Sequence, residues 1–181
     1  MELDEFNDGY FYKTKNYVLR ELDGKITTKG NAFKSSKHSR IYEKAVERAC
    51  KYVLDSGRDG TDTRDRRWDL VSTIKDWSSY DVTEYIKHIT YRKDPDSYYN
   101  QRSMQAELAE QAAKYLNQTI SEGDGIDYIV TSVNGEKHYT IAPLVSNVSE
   151  VYTQYYSDEV DSALKALGFN TNDMSGQMEL F

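Results

Sequence analysis

Apolar and polar residues alternate through YFYKTKNYVLRELDGKITTKG, residues 10–30, on either side of Asp23-Gly24. With a period of two, successive side chains point to opposite faces, and Asp-Gly favours a tight type I′ turn. The stretch predicts two antiparallel strands joined by a two-residue hairpin. The period then changes: Ile41, Ala45, Ala49 and Val53 recur every four residues, with Ser39 ahead of them as a cap. That spacing predicts a helix over about 40–54. SGRDGTDTRDRRWD, residues 56–69, keeps neither period, and its glycines and dense charge predict a flexible linker.

Further on, Asp81 and Glu84 in DVTEYIKHI form a capping box that predicts a short helix. RKDPDSYY breaks the chain at Pro95, and Ser103 opens a helix with Met104, Leu108, Ala112 and Leu116 on one face. IDYIVTSV, Asn134-Gly135 and EKHYTIAP read as strand, turn and strand, and a last helix over about 157–167 closes at Gly168. The sum is an α+β protein with a small β-hairpin front and a mainly helical body. Composition divides it into a basic segment 1–56, a domain over 57–170 and a flexible tail over 171–181.

Sixteen tyrosines against five phenylalanines and two tryptophans imply a core that leans on rings half buried and half wet. No run approaches the 18 or so apolar residues of a membrane span, and MELDEFNDGY has no signal-peptide pattern, so a cytoplasmic protein is expected. The single Cys50 excludes an internal disulfide and fits a reducing compartment. The net charge of −7 argues against an anionic partner until its distribution is read. Residues 10–51 hold eleven Lys or Arg against four acids, a local charge of +7, which leaves −14 for the rest.

A basic block on an acidic chain implies a localised anion-binding face; a solvated helix surface accounts for Lys44 and Arg48 but not for the rest. Lys13, Lys15 and Tyr17 fall on alternate positions of one expected strand and so share a face. Lys29, Lys34 and Lys37 surround Gly30, Ser35 and Ser36, a mixture of charge, hydroxyls and exposed N–H groups suited to a phosphate backbone. Catalytic chemistry is not signalled. His38, His88 and His138 are scattered, TDTRD lacks a flanking apolar strand, and there is neither a phosphate-binding glycine loop nor a GxSxG sequence.

KTKNY, DGKITTKG, a helix, ITYRKDPDSYYNQRSMQAELAEQ, SEGDGIDYIV and EKHYTIAP, in that order and spacing, resemble the C-terminal region of family B DNA polymerases, from about Tyr10 to Phe169. Lys15, Tyr17, Lys29, Gly30, Lys93, Pro95, Tyr98, Gly123, Asp124 and Tyr128 carry the resemblance. It implies that the end of the palm and the thumb hold the primer-template duplex, with Arg92, Lys93, Tyr98 and Arg102 extending the contacts. The family's metal-binding aspartates precede the lysine-x-tyrosine strand, and Met1 stands just before that strand here. The resemblance therefore implies a chain inactive by itself, with no cofactor of its own and with Mg2+ held by a larger partner subunit. KSSKHS replaces an arginine pair and tryptophan common in the family, and Met104-Gln105 a histidine and an apolar residue.

The tail QMELF resembles the Q-L-x-L-F peptide by which bacterial sliding clamps capture clients; bacterial DNA polymerase II, a family B enzyme, ends in such a peptide. Gln177 would then offer its amide, with Met178, Leu180 and Phe181 as apolar anchors. Packing of Leu180 and Phe181 onto the domain is the plainer alternative. Three readings stay open: the small subunit of a split bacterial or phage polymerase, a non-catalytic clamp-binding DNA adaptor with a thumb-like fold, and a segment of an intact polymerase.

Overall fold

The computed structural model describes residues 6–12, 15–30, 33, 37–95 and 103–171. They form an α+β fold of two three-stranded antiparallel sheets and four helices. In chain order these are β1 (Phe6–Phe11), β2 (Tyr17–Glu21), β3 (Ile26–Lys29), α1 (Arg40–Asp59), α2 (Arg64–Ile74), β4 (Lys87–Thr90), α3 (Met104–Leu116), β5 (Gly125–Val133), β6 (Glu136–Ile141) and α4 (Thr153–Ala166). Packing groups the chain into two compact units that are not continuous in sequence. One takes Met1–Ser35, Tyr42–Asp76 and Tyr156–Phe181; the other takes Ser36–Ile41 and Trp77–Tyr155.

In the first unit the sheet runs β1-β2-β3. Its core gathers Val18 and Leu19 of β2, Ala45, Val46, Ala49 and Leu54 of α1, Val71 and Ile74 of α2, and Tyr156, Val160 and Leu164 of α4. The β2–β3 connection is not the expected two-residue turn. Glu21 N–H donates to Lys25 O at 2.8 Å, Gly24 N–H donates to Glu21 O at 2.9 Å, and Gly24 has φ 89°. This is a three-residue loop closed by a left-handed glycine, and Asp23, whose φ is not positive, accepts from Lys25 N–H instead. The sequence also hid a third strand, because β1 and β2 form a hairpin of their own within what reads as one alternating run.

Residues 56–69 are not a linker. Helix α1 continues to Asp59, since Leu54 is buried, Ser56 Oγ bonds back to Tyr52 O at 2.6 Å, and Arg58 reaches Asp8 at 3.3 Å. Thr63 then caps α2 by accepting from Arg66 N–H. TDTRD thus leads from an exposed loop, Thr61 to Thr63, into the start of α2 at Arg64 and Asp65. Tertiary partners hold what composition marks as flexible. Helix α4 ends where expected, with Phe169 N–H to Leu164 O at 3.0 Å, Gly168 N–H to Lys165 O at 3.1 Å and Gly168 at φ 87°. Those two bonds define a Schellman ending, and Phe169 and Leu164 are both buried beside it.

In the second unit the sheet runs β4-β5-β6. Asn134 and Gly135, both with positive φ, join β5 and β6 as the expected two-residue hairpin, with Val133 opposite Glu136. Ser103 caps α3 as expected, and Leu108 and Ala112 are its buried face. The capping box of Asp81 and Glu84 is present, but it opens only a 3-10 turn over Val82–Tyr85 before KHIT pairs as β4. Gln111 of α3 covers part of the outer edge of β6: its amide donates to Tyr139 O at 2.7 Å and accepts from Ile141 N–H at 3.0 Å. The buried tyrosines keep their hydroxyls bonded, Tyr85 to Trp77 O and Tyr91 to Gln105 O.

Candidate nucleic-acid interface

The basic face is built at one end of the first sheet. Tyr12 N–H donates to Asn16 O at 2.8 Å, closing the β1–β2 turn, and Lys15 stands at its last position with φ 68°. That is the place Gly24 fills in the next hairpin. A lysine there takes a left-handed backbone that L side chains avoid, and its side chain is exposed. The expected alternation of Lys13, Lys15 and Tyr17 on one strand fails for this reason: Lys15 is in the turn, outside β2.

Lys15 nevertheless joins the other expected residues by another route. Tyr17 lies directly opposite Lys29 across β2 and β3, so both project from one face. Gly30 follows with φ 97°, and a Cβ built there would run into the Asn16 side chain and the Lys15 carbonyl. The β1–β2 turn thus packs directly on the end of β3. Lys15, Tyr17, Lys29 and Gly30 converge, with Lys15 and Lys29 exposed and Tyr17 half-buried.

Lys37, Arg92 and Lys93 are exposed and belong to the second unit. Arg92 and Lys93 sit in a bend held to the turn before β5. Tyr91 N–H donates to Asp124 O, and Gly123 N–H to Tyr91 O, each at 2.8 Å, while Glu122 N–H donates to Asp94 at 2.8 Å. Gly123 has φ 90°, and Tyr128 is buried opposite Lys87. Lys13, Lys34, Ser35, Ser36, Tyr98, Arg102, Gln177, Met178, Leu180 and Phe181 lie outside the described residues.

Part of the basic block is internally spent. Arg20 is bonded through Nε to Asp8 at 2.9 Å and through Nη1 to Asp55 at 2.6 Å, and Lys51 meets the same Asp55 at 3.0 Å. Hydrogen bonds from Arg20, then Lys51, hold the Asp55 carboxyl below the usual carboxylate range. The Lys51–Asp55 pair is legible as an i,i+4 spacing; the Arg20–Asp8 pair needs the β1–β2 register. A second cluster, also missed, joins Arg67 to Asp62 at 2.7 Å, to Gly168 O at 2.7 Å and to the Phe169 ring, with its guanidinium carbon 4.7 Å from the ring centroid. Arg67 lowers the Asp62 pKa, and the Tyr52 hydroxyl adds a bond at 2.8 Å.

Among the described residues the histidines stand apart from one another and from Cys50. His88 pairs with Asp127 at 2.7 Å on an exposed surface, and His138 stands 3.9 Å from Glu107. Burial pushes the Cys50 thiol up to about 12. Among the described residues no group of three or more His, Cys, Asp or Glu is placed to hold a metal, and no helix is long and apolar enough to cross a membrane.

No protein-family model matches the sequence, and no curated protein matches it. Among solved structures, the chain is similar to the family B DNA polymerase from the hyperthermophilic archaeon Pyrobaculum calidifontis, with a TM-score of 0.66 over 90% of this chain. The fold is family B polymerase-like. At 16% identity the likeness is one of fold, and the chain spans 21% of that polymerase.

Proposed function

We propose that the chain is the C-terminal, thumb-bearing piece of a split family B DNA polymerase, and that it grips the primer-template duplex. The observation that carries this reading is the fold likeness across 90% of the chain to about a fifth of a DNA polymerase. The exposed Lys15 and Lys29 at one sheet end would neutralise backbone phosphates without reading sequence. Close packing at Gly30 leaves both lysines in the same small area. Lys13, Lys34, Ser35, Ser36 and Lys37, with Arg92, Lys93, Tyr98 and Arg102, would extend the grip.

Nucleotidyl transfer would belong to a larger partner whose carboxylates hold Mg2+ at the attacking and leaving oxygens. Gln177, Met178, Leu180 and Phe181 would tether the assembly to a sliding clamp of the bacterial type and raise the local concentration of DNA. Mixing the chain with larger polymerase polypeptides tests the reading through primer extension. Restored synthesis supports it; no association with any polymerase piece overturns it in favour of the DNA adaptor. In duplex binding, Lys15→Ala with Lys29→Ala weakens all sequences alike and reduces the slope of log affinity against log salt by about 1.8.

A further inference from the structure

The β1–β2 and β2–β3 hairpins close alike but are supported differently. Each is closed by a backbone bond between residues four apart, Tyr12 N–H to Asn16 O and Glu21 N–H to Lys25 O, both at 2.8 Å. Gly24 takes the left-handed place in one turn at φ 89°, and Lys15 takes it in the other at φ 68°. Glycine adopts that backbone freely, whereas a lysine stays there only if its surroundings hold it. The next residue differs as well: Lys25 is exposed, and Asn16 is half-buried.

The hold on Lys15 comes from the end of β3. Tyr17 pairs with Lys29 in antiparallel register, so Asn16 stands one step further on, opposite Gly30. A Cβ at Gly30 would fall on Asn16 Oδ1 and on Lys15 O. The Asn16 carboxamide and the Lys15 carbonyl therefore lie together in the space that the glycine leaves open. Among the described residues nothing comes within 4 Å of a Cβ added at Gly24, so that turn has no such seat and carries glycine.

We infer that Asn16 is a positioning residue of the duplex face: seated on Gly30, its carboxamide keeps Lys15 left-handed and so presents that ammonium beside Lys29 to the phosphate backbone. Lysine carries its charge on a flexible stem, and ordering such a side chain costs affinity. A fixed backbone beneath Lys15 lowers that cost. Because the Asn16 side chain turns toward Gly30, its effect reaches the duplex through Lys15. This rests on the duplex-gripping reading for what the two lysines meet, while the seat on Gly30 is a property of this chain.

The test uses the full chain carrying Asn16→Ala. Without DNA, the strong amide–Hα cross-peak that a positive φ gives at Lys15 is expected to weaken in nuclear magnetic resonance, with Asn134, also at positive φ, as the unchanged reference. With duplex DNA, affinity is expected to fall about tenfold, and the slope of log affinity against log salt by up to about 0.9, the share of one phosphate. The loss should add to that of Lys29→Ala and vanish on a Lys15→Ala background. Gly30→Ala disturbs the same seat from β3 and should release Lys15 in the same way, which gives a second reading if Asn16→Ala folds poorly. A Lys15 cross-peak unchanged in both variants overturns the seat. Release of Lys15 with duplex binding intact overturns the positioning role, and so does a loss that adds to that of Lys15→Ala. A native chain that binds no duplex overturns the role together with the gripping reading, and the DNA-free Lys15 signature then tells that failure from failure of the seat.

Discussion

Lys15 holds a left-handed backbone at φ 68°, a state that costs an L residue about 1 kcal/mol or more. Gly24 occupies the equivalent place in the next hairpin without that cost. Strain kept at an exposed cation is what a binding role at that turn leads one to expect. Lys15→Gly should therefore raise the unfolding free energy by about 1 kcal/mol, seen in thermal melts, while weakening duplex binding. Arg20 shows the opposite use of a cation. Arg20→Met keeps the apolar stem but leaves Asp8 and Asp55 without their shared partner, and should cost about 2 kcal/mol in urea unfolding. Asp62 and Asp55 are carboxylates held below their ordinary pKa in the folded chain. The stabilisation they give is complete above about pH 4, the ordinary aspartate range, and is lost as pH falls through their lower folded values. Asp62→Asn should flatten the acid limb of stability; an unchanged limb would remove Asp62 from that account.

Among the elements, those whose signals are local were legible in the sequence. The Asn134-Gly135 hairpin, the Ser103 cap and the Gly168 ending follow from a few adjacent residues, and each stands where it was expected. Elements set by distant partners were not. Helix α2 reads as charged and polar, yet Thr63 caps it and Arg67 ties it to Asp62 and to the end of α4. Asp23-Gly24 suggests a two-residue turn, but the β2–β3 register adds Leu22 to the loop and leaves it exposed. The site divides in the same way. Lys29 and Gly30 are neighbours in the chain, but the approach of Lys15 to Gly30 comes from a turn that alternation hides. Gly168→Ala keeps ordinary contacts with Tyr10 and Arg67 but forces alanine to a positive φ. It should lower the melting stability by about 1 kcal/mol, with α4 fraying first in hydrogen exchange.

For the whole molecule, composition suggested a boundary near residue 56, whereas packing unites residues 42–76 with the chain's beginning and its last helix. Removing residues 177–181 tests the tail at this scale: clamp binding should vanish with the melting temperature nearly unchanged, and a large drop in stability would mean that the tail is core. The return of the last helix matters earlier in the protein's life as well. Tyr10 donates to Ala166 O across 156 positions of sequence, Lys75 pairs with Asp161, and Phe169 lies against Tyr52, so the first unit is closed by residues far downstream of its strands. On the ribosome β1–β3 must wait for α4 to emerge. Residues 77–155 can settle while that unit is still open. A nascent chain stalled before α4 would show chaperones a three-stranded sheet still lacking its closing helix, and strands translated before residues 77–155 would be covered after them.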